Sequence, residues 1–335
     1  MPELRLNLLT REWVIVEKNT AVRPTDFLET NVVKKLPDYV GTCHFCAGNE
    51  DIIPDELYRI QDEKGWKVRV VRNKFSRLSE EGPQTRWGDK LQRAANGVGI
   101  HEIIIETPFH NLTTANLPVE QLKAVIETYK NRLVQIHNDP RVEYVVIFKN
   151  SGTTSGTSFE HSLTQMVGIP VMPLQMRDRI EAYMRFFDDT GECLMCKMLN
   201  EELQNGTRII RNTEHFVSFI PYAALLPFHI WIFPKRHSGS ISDLSNEEMW
   251  DLASNLKATM SRLYYGLENP DFNYAIRSGK PDNANSKFIH WYLSIVPRIG
   301  YTSGFEMASG MFINPIQPEL SAKFLRDVNI PEEHT

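Results

Sequence analysis

The sequence predicts a mixed α+β chain built as two related halves, each on a mostly antiparallel sheet, and three observations carry that reading. All four cysteines fall in two Cys-x-x-Cys pairs, Cys43-His-Phe-Cys46 and Cys193-Leu-Met-Cys196. Each pair is followed by two histidines at matching separations: His110 and His161 lie 51 residues apart, His237 and His290 53. Between the histidines of each pair, the hydrophobic pattern passes through the same succession of helical and extended segments. This places a first half at residues 1–172 and a second at 173–335.

The elements follow in order. Glu102-Ile-Ile-Ile-Glu106 precedes His110 and Ile230-Trp-Ile-Phe233 precedes His237, and both read as strands. Seven residues after each of these histidines stands a leucine (Leu117, Leu244), and ten after each a glutamate (Glu120, Glu247). Amphipathic helices come next. Leu122, Val125, Ile126, Tyr129, Leu133 and Ile136 mark the first, and Met249, Leu252, Leu256, Met260 and Leu263 the second. Pro118 suits a first helical position, and Ser245 with Glu248 spells a capping box. The next strands are Tyr144-Val-Val-Ile-Phe148 and Phe272-Asn-Tyr-Ala-Ile276, each running into a Gly/Ser/Asn-rich loop and then a histidine-bearing strand. The segment from Met176 to Phe187 reads as a helix joining the halves.

Composition sets the limits. A chain of 335 residues, 41% hydrophobic and 24% charged, suits two globular units, each with its own core. A formal charge of -5, with no Lys/Arg cluster among aromatics, gives nucleic acid or an anionic membrane no reason to bind. Met1-Pro-Glu-Leu-Arg-Leu lacks the apolar run of a signal peptide. No stretch approaches the roughly 18 apolar residues that span a bilayer. The expected compartment is the cytoplasm, where thiols stay reduced and structural disulfides are rare. A thioredoxin-like role would want a Cys-x-x-Cys pair opening a helix in a βαβ unit, and neither pair is placed so.

Two cysteines and two histidines are the donor set of a structural zinc site. The sequence therefore predicts two Zn²⁺ ions, one on Cys43, Cys46, His110 and His161, the other on Cys193, Cys196, His237 and His290. Four protein ligands leave no open position for water, which argues against a metallohydrolase. A single site shared by all four cysteines is disfavoured, since the pairs lie 150 positions apart.

The stretch Asn150-Ser-Gly-Thr-Thr-Ser-Gly-Thr-Ser158-Phe-Glu-His161-Ser-Leu163-Thr-Gln165 resembles the galactose-1-phosphate uridylyltransferase family, a duplicated branch of the histidine-triad superfamily. That family's motif reads Ser-x-x-His-x-His-x-Gln, and Ser158, His161 and Gln165 match it, as does the loop asparagine Asn150. The likeness covers nearly the whole chain. Arg11-Glu-Trp-Val-Ile15 and Arg23-Pro-Thr-Asp-Phe27 are similar to the family's N-terminal arm, and Val71-Arg-Asn73 to a nucleotide-contacting segment. Ser303-Gly-Phe-Glu306 is similar to a strand whose glutamate contacts the sugar. The second metal set with His290-Trp-Tyr-Leu-Ser-Ile-Val-Pro297 most resembles the ADP-glucose phosphorylase-like branch.

The resemblance implies a duplicated histidine-triad-like fold and a homodimer acting on nucleotide sugars with sugar phosphate or phosphate. It implies transfer of a nucleoside monophosphate through a covalent nucleotidyl-histidine. Gln165 and Ser158 would stand at the reacting phosphate. Arg23, Asn73, Asn150, Gly152, Thr157 and Glu306 would contact substrate, Arg23 across the dimer interface. Whether the nucleotide is uridine or adenosine is left open, as is an adenylylsulfate-type donor.

One position breaks the pattern. The family's attacking histidine falls at Leu163, which has no lone pair to offer. On a strand, Leu163 shares a face with His161 and Gln165, while Ser162 and Thr164 point the other way. The counterpart in the second half is Tyr292, and a phenol is a poor nucleophile without activation. Three accounts follow. The chain descends from, or is an engineered form of, a nucleotidyltransferase and binds nucleotide without turnover. Alternatively, it runs a direct displacement in a ternary complex. A third account gives the attack to His101, His215 or His229. Elsewhere, Trp231 and Trp291 read as core, His44 as exposed and His229 as buried and hydrogen-bonded.

Overall fold

The computed structural model describes residues 1–18, 22–28, 36–53, 55–300 and 302–331. The first half supplies β1 (Glu3–Leu6), β2 (Trp13–Val16), β3 (Glu56–Asp62), β4 (Gly65–Arg72), a hairpin of β5 (Arg86–Trp87) and β6 (Ala94–Ala95), and β7 (Ile100–Ile105). Helix α1 (Val119–His137), β8 (Tyr144–Ser151) and β9 (Leu163–Ile169) complete it. Helices α2 (Leu174–Thr190) and α3 (Leu194–Asn205) lead into β10 (Ile209–Asn212), β11 (Phe216–Phe219) and β12 (Ile230–Pro234). Then come α4 (Asn246–Gly266), β13 (Phe272–Arg277) and β14 (Tyr292–Pro297). The described chain closes with α5 (Gly304–Ser309), β15 (Phe312–Asn314) and α6 (Pro318–Asp327).

Local chemistry accounts for the helices. Ser245 Oγ accepts from the Glu248 amide at 3.2 Å while the Glu248 carboxylate accepts from the Ser245 amide at 2.9 Å, so the expected capping box starts α4. Pro118 takes the cap position of α1 rather than its first turn, a shift of one residue. The apolar stripes predicted for both helices are buried.

Ten strands form one antiparallel sheet in the order β10-β11-β12-β14-β13-β8-β9-β7-β4-β3. From the β13–β8 seam outward, each half lays down the same succession. The strand after the helix comes first, then the strand after the loop, the strand before the helix, and two more. Register repeats as well: Phe148 faces Gln165 and Ala275 faces Ser294, each partner standing four residues after its half's second cluster histidine. Asn150-Ser-Gly152 therefore corresponds to Arg277-Ser-Gly279. Ile103 faces Gln165 and Trp231 faces Ser294, which makes His101 the counterpart of His229.

The expectation of a separate core for each half is corrected. Leu122, Ile126 and Leu133 of α1, Leu252 and Leu256 of α4, and Ile147, Met166, Ile276 and Leu293 of the sheet form one continuous cluster. The halves join edge to edge through β8 and β13, so both helices pack on one face of one sheet, and the apolar surface is continuous. The opposite face carries the chemistry. Among the described residues, no helix is long and apolar enough to cross a membrane.

Candidate active site and metal centres

The eight predicted metal-binding residues come together in two clusters, in each of which all four donor atoms lie within 4.8 Å of one another. Cys46 Sγ lies 3.5 Å from His110 Nδ1 and 3.7 Å from His161 Nδ1, and Cys43 Sγ lies 3.6 Å from His161 Nδ1. In the second cluster Cys196 Sγ lies 3.1 Å from His237 Nδ1 and 3.3 Å from His290 Nδ1. A tetrahedral zinc with its usual bond lengths separates sulfur and nitrogen donors by about 3.5 Å, so both sets fit, the second slightly contracted.

Hydrogen bonds on the far side of the rings favour ligation. His161 Nε2–H donates to the Thr107 carbonyl at 2.7 Å, His290 to Pro234 at 3.0 Å and His237 to Ser286 at 2.7 Å. A carbonyl only accepts, so the proton sits on Nε2 and the Nδ1 lone pair faces the cluster. Burial, above all, pushes His161 down to about 4 and lowers His290, which keeps both imidazoles in the neutral, ligating form.

The two cysteine pairs sit differently. Cys43 and Cys46 lie in a turn, whereas Cys193 is the N-cap of α3. The second pair therefore opens a helix, though not one in a βαβ unit. Its helix runs between α2 and β10 rather than crossing between parallel strands, and two histidines close on Cys196. His161 and His290 also lie just before β9 and β14 rather than within them.

Leu163 opens β9 and is 3% exposed, packed with Phe45, Trp66, Val71, Ile103 and Ile105. No imidazole stands there. Thr164 points to the other face, bonded to Glu106 at 2.6 Å and Tyr129 at 2.7 Å. Tyr292 is buried and stacked on Phe233, with centroids 4.8 Å apart. His229 is buried, its Nε2 bonded to Ser294 Oγ at 2.8 Å, and His215 lies in the second half beside Asp251.

His101 is nearer the site than its sequence context suggested. Its Nε2–H donates to Gln165 Oε1 at 2.9 Å, which leaves Nδ1 to accept from the Asn73 amide at 3.3 Å. Gln165 and Asn73 thus meet through His101. With its ring nitrogens engaged in this chain, His101 is poorly placed for attack.

The remaining predicted residues divide. Asn150 Oδ1 accepts from Asn273 Nδ2 at 2.7 Å, across the seam. Gly152 has φ +84°, and a Cβ there would lie 1.6 Å from Asp271 Oδ1, so only glycine fits. Asp271 bonds both the amide and the hydroxyl of Thr154 at 2.7 Å, which pins the loop to β13's approach. Thr157 Oγ1 accepts from the Phe159 amide at 3.1 Å, and Ser158 is exposed. Around this loop lies a cavity of about 290 Å³ reaching His161 and Asp271.

Arg23 and Glu306 are not brought to that cavity. Arg23 is exposed beside a short turn whose Phe27 packs on Phe228 of the second half. Glu306 sits in helix α5, not on a strand, and its carboxylate accepts from the Ser303 amide at 2.9 Å and hydroxyl at 2.5 Å. That serine and glutamate form a capping box, which a strand cannot hold.

A buried ion pair escaped the sequence reading. Lys149 Nζ donates to Glu106 Oε2 at 2.5 Å and to Ser162 Oγ at 2.7 Å, with both charged side chains almost wholly enclosed. Tyr129 donates to Glu106 at 2.9 Å and meets Tyr274 across the seam at 2.5 Å. Burial alone would raise the Glu106 carboxyl, but Lys149 and the hydroxyls of Thr164 and Ser162 hold it below its ordinary value. The network fixes Ser162 and Thr164, and with them the outward aim of His161, Leu163 and Gln165.

Fold and site define a class: an α+β chain whose halves repeat one topology, each with a two-cysteine, two-histidine centre beside a glycine-bearing loop. Residues 1–173 match the family model for the galactose-1-phosphate uridyl transferase N-terminal domain, and residues 179–296 that for its C-terminal domain. An ADP-glucose phosphorylase of Arabidopsis thaliana is 34% identical over 98% of this chain and 93% of its own length. A galactose-1-phosphate uridylyltransferase of Thermotoga maritima is 28% identical over 98% and 99%. The crystal structure of an Arabidopsis thaliana ADP-glucose phosphorylase with bound ADP-glucose superposes with a TM-score of 0.81 at 30% identity, covering 99% of this chain and 100% of that one. The chain belongs to the galactose-1-phosphate uridyl transferase family.

Proposed function

We propose that the chain binds a nucleotide sugar on the β9 face beside the Asn150–Ser158 loop and does not form the covalent nucleotidyl intermediate at position 163. The observation that carries this is Leu163, on the same face as His161 and Gln165 and enclosed by apolar side chains. The Gln165 amide donates to a phosphate oxygen, oriented by His101, while Asn73, Asn150, Gly152, Thr157 and Ser158 line the ligand. Cys43, Cys46, His110 and His161 would hold one zinc, and Cys193, Cys196, His237 and His290 the other. Bound zinc supplies cross-linking of each half, with no open coordination position for substrate.

Around this reading stand a duplicated histidine-triad-type fold divided near 172/173, a cytoplasmic homodimer, and Arg23 reaching the partner's site. The adenosine nucleotide is favoured by likeness to the ADP-glucose phosphorylase. The acceptor is phosphate or a sugar phosphate. Loss of a covalent nucleophile lowers turnover by roughly 10⁶-fold in a well-studied protease, so binding without turnover is the leading form. The intact His101–Gln165–Asn73 chain favours a second form, direct displacement, since it keeps a phosphate donor in position.

The test incubates wild type and Leu163→His with radiolabelled UDP-glucose and ADP-glucose, with and without phosphate. After quenching, protein-bound label and free product are counted. Label and product in the histidine variant alone support binding without turnover. Product from unlabelled wild type supports direct displacement. Covalent label on wild type would overturn both.

A further inference from the structure

We propose that the second half carries a ligand pocket of its own, shaped for a phosphate-bearing molecule with a flat apolar body, a nucleoside monophosphate in class. The cavity encloses about 350 Å³ between the α2 helix and the β13–β14 end of the sheet. Tyr144, Met176, Tyr183, Arg277, Lys280 and Tyr292 line it.

Its place in the fold is not arbitrary. Register puts Arg277, Ser278 and Gly279 where the first half has Asn150, Ser151 and Gly152, and puts His290 and Tyr292 where it has His161 and Leu163. Across the seam, Phe272 faces Ser151 and Ile276 faces Ile147. Continuing that register one step beyond the first end sets Asp271 against Gly152, and three steps beyond the other sets Tyr144 against Gly279. The cavity is thus the counterpart of the one beside the first loop, with the chemistry of its lining changed. An asparagine becomes an arginine, an aspartate a tyrosine and a threonine Lys280, while Tyr292 joins the lining at the address of Leu163, which lies outside the first cavity.

Those changes exchange an acidic rim for a cationic one. Asp271 closes on Thr154 in the first cavity. In the second, no carboxylate pairs with Arg277 among the described residues, and Arg179 reaches in from α2 to the Tyr292 hydroxyl at 3.4 Å. Lys280 is tied to Glu143 at 3.3 Å, whereas Arg277 meets the Met176 sulfur at 3.9 Å and the Tyr144 hydroxyl, neutral partners that leave its charge to a ligand. Burial chiefly, and then Arg179 and Arg277, push His229 down to about 3. The Tyr144 hydroxyl is buried against the Arg277 guanidinium, and its ring, only 4% exposed, lines the cavity. Guanidinium binds phosphate oxygens in pairs, and the aromatic and methionine walls suit a flat ring.

This pocket goes beyond the proposed function and does not require it. Equilibrium dialysis of the full chain against radiolabelled AMP, and separately UMP, counts the sites. Wild type is expected to bind two equivalents per chain. Arg277→Gln removes the charge and Met176→Trp fills the volume, and each is expected to weaken one equivalent at least about tenfold, as loss of a charge-assisted pair does, leaving the other unchanged. Asn150→Ala should remove only that other equivalent. Thermal melting and retained binding at the first site show that each variant is folded. A single equivalent lost in Asn150→Ala and untouched by Arg277→Gln and Met176→Trp overturns the proposal, as does no binding to wild type. A single equivalent lost in Arg277→Gln but kept in Asn150→Ala supports this pocket and sinks the first-site reading instead.

Discussion

Lys149→Met isolates the buried pair beneath β9. The substitution keeps the length of the side chain and removes its charge, leaving the Glu106 carboxylate fully buried with only hydroxyl donors. Breaking one partner of a buried pair costs about 3–5 kcal/mol, because the other charge stays enclosed. An unfolding entropy of about 2.1 cal/mol/K per residue over 335 residues gives roughly 0.7 kcal/mol/K, so Tm should fall by about 4–7 °C.

The pH dependence reverses, and that is the sharper test. In the wild type Glu106 titrates below its ordinary value, so its contribution is present above the unfolded pKa and is lost as acid protonates the folded carboxylate. Without Lys149, burial raises Glu106 instead. The protonated form then stabilises the variant below the unfolded pKa, and that benefit is lost as pH rises through the raised folded value. Thermal melts at pH 5.5 and pH 8 should therefore show the larger deficit at pH 8, and adding Glu106→Gln should recover part of it. A deficit under about 1 °C at pH 8, or an equal deficit at both pH values, would refute the account.

Two further outcomes are expected. Elemental analysis should find two zinc ions per chain, falling to one in Cys46→Ser with a lowered Tm; unchanged zinc in that variant would remove Cys46 from the ligand set. His101→Phe should weaken ADP-glucose binding about tenfold, as loss of an orienting partner does. Burial holds His101 below its ordinary pKa, so wild-type binding should be flat from pH 6.5 to 8, and tighter binding on acidification would contradict the orienting role.

What the sequence exposed was local or periodic. The Cys-x-x-Cys pairs, the Ser245–Glu248 cap and the stripes of α1 and α4 each depend on residues a few positions apart. What it hid was set by distant pairing. Nothing near Lys149 announces Glu106, which directly follows another strand, and His101 finds Gln165 64 residues on. A signal was present in the spacing, since His101 and His229 precede the first histidines of their clusters by nine and eight residues. The shared core went unseen because periodicity marks a buried face without saying which sheet edges meet. Glu306 is a different kind of miss, for Ser303-x-x-Glu306 spells a helix start that was read as a strand.

The hydrogen-bonded seam between β8 and β13 has one more consequence. Asn150 and Asn273, Lys149 and Tyr274, Ile147 and Ile276 face each other there as two subunits of a symmetric pair would. In such a pair every substitution arrives twice, and no pocket can change without its twin. Here a single peptide chain runs across the axis, so each side is free to drift alone. Leu163 and Tyr292 are different residues at one address, and an experimenter can place an imidazole at either while leaving the other as a built-in control.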